Sequence, residues 1–211
     1  MNGVKNGAGI GGTVQTSASG PDQFVSLAQE LVEKEKRRER SRGMPMDVRA
    51  ALKGQHHAAL AMLKQVVERC PDDQWDGGGY PVPFWRVAYH ALFFAHLYLQ
   101  PDEDSFRPWE HHRDQYQFLG ELPWPPHAKP KVGEPYTKAQ VLEYWQVCDS
   151  MVDGAVDGLD LDAQECGFPW YPLPKLDHQI VNIRHIQHHA ALLAGRLRLA
   201  AGTDIAWIGG V

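Results

Sequence analysis

The stretch "NIRHIQHHAALLAGRLR", residues 182–198, places His185, His188 and His189 within five positions. Neutral imidazole is a common ligand for zinc, nickel, copper and iron. On a helix each residue turns about 100°, so His185 and His189, at i and i+4, project to one side with Cβ atoms about 6 Å apart. His188 points away from both. The pair has the spacing of the helical HExxH motif, but Ile186, Gln187 and His188 stand between the two histidines, so the glutamate base of that motif is missing. An HxxxH pair alone reads first as the polar flank of an amphipathic helix, and as a ligand pair only with further support.

His90 supplies that support. It lies in "FWRVAYHALFFAHLYL", residues 84–99, on a stripe with Val87, Phe94 and Leu97, and so projects toward apolar neighbours. A buried imidazole needs a hydrogen-bond partner or a metal. A carbonyl or a tyrosine hydroxyl would satisfy a lone core histidine. Three histidines on two helices that face each other in a bundle instead match the three-histidine set, with an open fourth position, of catalytic zinc sites. The expected metal ligands are therefore His90, His185 and His189. His56 reads first as a core or flank histidine, and secondly as a fourth ligand or supporting group. His96 shares the helix of His90 but faces elsewhere. His57, His111, His112 and His127 read as surface or loop residues, any of which could serve in acid–base work if the fold brought it close.

Helices must position these groups. From about Asp47, a plausible N-cap, to Cys70, the residues Val48, Leu52, Ala59, Leu63 and Val66 recur at helical spacing, with His56 among them. Residues 84–99 are apolar almost all round and predict a central buried helix. Thr137 and Gln140 form a capping box for a helix over 138–157, with a stripe of Val141, Trp145, Cys148, Met151 and Ala155. The last helix runs from about Asp177 to Ala201, and Gly202 ends it. "PDDQWDGGGYPVP" breaks the chain between the first two helices. Residues 100–136 are long and proline-rich, which marks a lid, a binding loop or a disordered segment; Trp109, Tyr116, Phe118 and Trp124 argue against disorder. The expected fold is all-α, a four-helix bundle over residues 47–205. Up-down-up-down connectivity would place the two long loops at opposite ends, and a crossover connection would not. Ahead of the bundle, residues 1–20 read as disordered, and residues 21–46 as a helical arm with Phe24, Leu27 and Leu31 on one face.

Composition narrows the partners. The chain has 211 residues, of which 43% are apolar and 22% charged, and a net charge of −5, which fits a globular protein. The one basic run, "KEKRRERSR" at 34–42, is interrupted by acidic residues and reads as a solvated helix face, so no nucleic-acid partner is expected. No apolar stretch reaches about eighteen residues, and the N-terminus carries no signal-peptide pattern. Cys70, Cys148 and Cys166 are odd in number and far apart, which excludes a disulfide scaffold or a cysteine zinc site and suits a reducing compartment. A cytoplasmic protein without a membrane partner is expected.

The segments "YHALFFAHLYL" and "NIRHIQHHAALLAGRLR" resemble the DinB-like (DinB/YfiT-like) family over roughly residues 47–201. The resemblance implies an up-down-down-up bundle, often dimeric, in which the chain crosses the bundle through residues 100–136. It carries the family's metal-binding histidine on the second helix onto His90, and its HxxxH pair onto His185 and His189. It implies a divalent metal, zinc or nickel foremost, and for some members a low-molecular-weight thiol cofactor in transfer or isomerisation of a small molecule; others resemble metal-dependent hydrolases. The N-terminal arm and the 100–136 segment exceed a minimal member. Three neutral imidazoles leave an ion its full charge, which would activate water or a thiol. With no general base evident on the helices, thiol activation is preferred to hydrolysis. Trp109, Trp124, Trp170 and Tyr171 could line a pocket mouth or simply cover a bundle end. Arg86, Arg184 and Arg196 could meet an anionic substrate or be merely solvated. The competing expectation is a non-catalytic bundle with a structural metal. A di-iron bundle is set aside, because the paired ExxH motifs it needs are absent.

Overall fold

The computed structural model describes residues 30–36 and 46–210. The chain divides into two units, residues 1–46 and 47–211. In the first, residues 30–36 form helix α1; the disorder expected over 1–20 and most of the expected arm lie outside the described residues. The second unit contains α2 (Val48–Arg69), α3 (Asp72–Trp75), α4 (Phe84–Tyr98), α5 (Lys138–Gly158) and α6 (Lys175–Ala201). The described residues contain helices and no strand. Among them no helix is long and apolar enough to cross a membrane.

Local chemistry sets the helix ends. Asp47 caps α2, its side chain accepting from the Ala50 amide at 2.9 Å. Thr137 and Gln140 close the capping box of α5. Gly202 takes the left-handed conformation after α6, with φ 60°, which glycine adopts without steric cost. Helix α6 starts at Lys175, two residues earlier than the sequence suggests, behind Pro174 as N-cap. Thr137→Ala should lower unfolding free energy by about 1 kcal/mol, because it orphans an amide of the first turn; chemical denaturation measures this, and a change near zero would show the cap to be dispensable.

Four long helices pack side by side as a helical bundle. Helix α2 lies against α5 and α6, and α4 lies against the same two. Arg49 at the start of α2 donates to the carbonyls of Val156 and Leu159 at the end of α5, and the Trp145 indole donates to the Leu60 carbonyl at 2.8 Å; α2 and α5 are antiparallel. Gln179 stands beside His56 and Gln187 reaches the Met62 sulfur, so α2 and α6 run the same way. Helices α4 and α6 are antiparallel, with Gln179 donating to the Tyr98 carbonyl at 2.8 Å and Arg196 to that of Val82 at 2.9 Å. Tyr136, just before α5, packs on Trp85 at the start of α4, while Cys148 meets the Leu92 carbonyl further along; α4 and α5 are parallel. Twelve of the fifteen residues of α4 are buried, which makes it the central element that its apolar circumference requires. Leu60, Leu63, Leu92, Val141, Val152, Ile186 and Leu193 fill the core around it. Burial of such side chains, at roughly 1.5–3 kcal/mol each, is the main force holding the helices together.

Parallel α4 and α5 force the connection between them back along the bundle. Residues 100–136 make that return through turns rather than helix. Trp109 stacks on Tyr144, with ring centroids 4.7 Å apart and planes 8° apart. The Tyr136 hydroxyl donates to the His111 carbonyl at 2.6 Å. Arg86 donates to the carbonyls of Tyr116 and Phe118. The segment is thus held by aromatic burial and by hydrogen bonds to its backbone, which loops otherwise leave to water. The break after α2 contains one turn of helix, α3, that its turn residues obscure; buried Trp75 anchors it by donating to the Tyr136 carbonyl at 2.7 Å. In the loop before α6, Gly167 has φ +85°, and a Cβ there would lie 2.5 Å from the Pro101 carbonyl oxygen. Buried Lys175 donates to the carbonyls of Pro101 and Cys166. These contacts tie the loop to the end of α4. All three cysteines are buried and unpaired.

Candidate metal centre

The antiparallel crossing of α4 and α6 brings the three expected histidines together. The Nε2 atom of His185 lies 3.0 Å from Nε2 of His90 and 3.1 Å from Nε2 of His189. His90 comes from the middle of α4, and the other two sit one turn apart on the facing flank of α6. His189 is buried and His90 and His185 are half-buried. His188 is exposed, as the helix phase requires, and its ring only abuts that of His189, with centroids 4.9 Å apart.

The crossover segment orients His90. Its Nδ1 lies 2.5 Å from the Gln117 carbonyl oxygen. That oxygen can only accept, so Nδ1 carries the proton and Nε2 of the neutral ring presents a lone pair. This is the usual arrangement behind a metal-binding histidine. No side-chain signal could have identified Gln117, because any residue type supplies the same carbonyl.

Protons cannot satisfy the cluster. A neutral imidazole nitrogen offers either a proton or a lone pair. Nε2 of His185 faces two neighbours, so every assignment leaves one contact shared or repulsive. The Nδ1 atoms of His185 and His189 are buried without a hydrogen-bond partner among the described residues. Charging the rings is opposed as well. Burial lowers the pKa of His90 to about 4, and the nearby Arg86 and His188 work in the same direction against the Gln117 hydrogen bond. Burial, then repulsion from His90 and His188, brings His185 to about 3; His189 is lower still, for burial and for the charges of all three neighbouring histidines. The rings are neutral at pH 7, the state that binds metal. Three nitrogens around one ion at 2.0–2.1 Å lie about 2.9–3.4 Å apart, so the observed spacings fit a single ion. The three rings are the candidate ligand set, with ligand atoms all within 4.8 Å of one another.

The remaining histidines separate by face. His56 on α2 is fully buried with neither ring nitrogen hydrogen-bonded, Gln179 standing beside it outside hydrogen-bond geometry; it is not in the cluster. His96 meets the Tyr144 hydroxyl at 3.1 Å on the other side of α4. His178 is enclosed by Tyr98, Phe168 and Tyr171. His57 pairs with Asp149 at 2.7 Å, and His112 meets the Tyr89 hydroxyl at 2.6 Å. His111 and His127 are exposed. Among the described residues no carboxylate joins the three-histidine group.

A cavity of about 730 Å³, within the range of small-molecule sites, lies beside Phe94 and Gln117, which touch the cluster; none of the three histidines lines it. Phe94 lines it and also packs on His90 and His185, at centroid distances of 4.8 and 5.6 Å. Gln117 lines it too. Of the loop aromatics, Trp124 and Trp170 border this cavity, whereas Trp109 is buried against Tyr144 and Tyr171 packs on Tyr98. The arginines have structural partners or face water: Arg86 holds the crossover segment, Arg196 binds the Val82 carbonyl, and Arg184 is exposed. Comparison of the chain with models of protein families, with curated proteins and with solved structures finds no match.

Proposed function

We propose that this chain is a DinB-like metal-dependent enzyme in which His90, His185 and His189 hold a divalent ion, zinc or nickel, and that it transfers a thiol to or from a small molecule, or hydrolyses one. The carrying observation is the convergence of three neutral Nε2 atoms at 3.0 and 3.1 Å, an arrangement that one cation satisfies and protons do not. The directions of the helices support the family reading: α2 and α6 run one way and α4 and α5 the other, an up-down-down-up order. A cavity of small-molecule size, separated from the rings by Phe94 and Gln117, favours an enzyme over a bundle whose metal is only structural.

The ion would supply a Lewis acid able to lower the pKa of water or of a thiol. The chain's own residues supply the rest. The Gln117 carbonyl fixes the proton of His90 on Nδ1, burial keeps all three rings uncharged, and Phe94 packs on the rings of His90 and His185. The absence of a carboxylate from the cluster favours thiol activation, which needs no dedicated base.

Metal analysis tests the reading. Purified chain incubated with zinc and then dialysed should retain about one equivalent; retention near zero would overturn it. Cobalt substitution then separates the chemistries. A near-ultraviolet sulfur-to-cobalt absorption on adding 2-mercaptoethanol supports the thiol arm, and its absence with cobalt bound moves the proposal to hydrolysis.

A further inference from the structure

The cavity beside the histidines has a chemical bias that the metal reading does not require. Its walls are aromatic: Phe94, Phe106, Phe118, Trp124 and Trp170 contribute. Its charged lining is only acidic, and its other polar groups are the Gln117 amide, the Tyr98 hydroxyl and the indoles of Trp124 and Trp170. Glu103 and Glu121 border it and are exposed, and Trp124 and Trp170 are each 47% exposed, so these four mark its mouth. Phe94 and buried Gln117 mark the inner end, against the histidine rings. Among the described residues no lysine, arginine or histidine lines the cavity, and neither carboxylate is ion-paired. Gln117 adds a side-chain oxygen that is buried and has no hydrogen-bond partner among the described residues.

We infer that this cavity binds an apolar-bodied amine in its protonated form. The aromatic body would fill the inner cavity and direct its far end toward the histidines, while the ammonium would lie at the mouth between Glu103, Glu121 and the tryptophan faces. Carboxylates and indole faces both attract a cation, and the same groups repel a carboxylate. An anionic substrate would need a basic partner, yet Arg86 and Arg196 are committed to backbone carbonyls. Placing the charge at the mouth leaves it partly hydrated and away from a second cation at the histidines. As a statement of substrate class this rests on the metal reading; as a statement of binding it does not.

The experiment compares 4-phenylbutylamine with 4-phenylbutyrate, which share one apolar body, by titration calorimetry at low salt on the full chain and on His189→Ala. The amine should bind at least about tenfold more tightly, and the Glu103→Gln/Glu121→Gln double variant should cut that preference below about threefold. Equal binding of the two probes, no binding of either, or a preference unchanged in the double variant would each overturn the inference. Metal content measured on the same preparations keeps the two readings apart. Amine preference without retained metal sinks only the proposed enzyme, and retained metal without amine preference sinks only the assignment of the cavity.

Discussion

If the proposed site holds zinc, replacing His189 with Ala should lower zinc affinity by more than about a hundredfold, the upper end of what losing a mere outer-shell partner costs. His90→Ala does the same, while His188→Ala stays within about threefold. The difference follows from geometry. His90 and His189 each place Nε2 beside that of His185, whereas His188 is exposed and offers only ring contact. Removing one of the three proposed ligands would delete a bond to the ion and leave two rings to hold it. Competition against a fluorescent zinc chelator measures the affinities, and far-UV circular dichroism checks that each variant keeps its helices. Equal loss in all three variants would show that the helix phase does not select the ligands; no loss in any would remove the site.

The metal-free chain loses stability steeply as pH falls from about 6.5 toward 4, through buried histidines outside the site as well as within it. Burial depresses His56, His96 and His178 to about 4; the neighbouring charge of His57 adds to this at His56, against Gln179, and that of Lys175 adds at His178. In the unfolded chain each takes a proton near pH 6.5. Between these values the unfolded state binds more protons than the folded state, so acid favours unfolding; above about 6.5 both states are neutral and the effect vanishes. Each such histidine contributes at most about 1.4 kcal/mol per pH unit. From pH 6.5 to 5 the three together amount to about 5 kcal/mol, comparable with the whole stability of a marginal domain. His57 opposes them. Burial alone would lower its pKa, but Asp149 and Asp153 raise it, so its contribution is present below pH 6.5 and is lost as pH rises through the raised value. One opposing group leaves the net sign unchanged. Urea denaturation of chelator-treated protein at pH 7 and pH 5 reads the difference, and His56→Leu should flatten the slope by about one proton. A midpoint that does not move between the two pH values would show that these rings are not held neutral by burial.

The helices and the members of the candidate three-histidine group were legible in the sequence because both rest on local periodicity. The 100° step sorts His185 and His189 from His188 without reference to any other element. Likewise, the apolar circumference of residues 84–99 buries α4 whatever its neighbours, and Asp47, Thr137 and Gly202 end helices by chemistry confined to one turn. Helix α3 escaped notice because a single turn has too few residues for a period to show, and what holds it is the distant carbonyl of Tyr136.

Other features depend on which helix lies beside which, and no local pattern carries that. Only the antiparallel crossing of α4 and α6 brings Nε2 of His90 within 3.0 Å of that of His185. His56 shares the apolar-stripe pattern of His90 yet stands outside the cluster. The return of residues 100–136 along the bundle sets a backbone carbonyl of Gln117 on His90, a role that no residue type announces. It also carries Glu103, Glu121 and Trp124 to one cavity with Phe94 and Trp170, from positions whose separation in the chain implies nothing about their distance in space. Residue type and helical period therefore determined which groups could bind a metal. Tertiary packing decided which of them meet, which tautomer one of them holds, and what kind of cavity opens beside them.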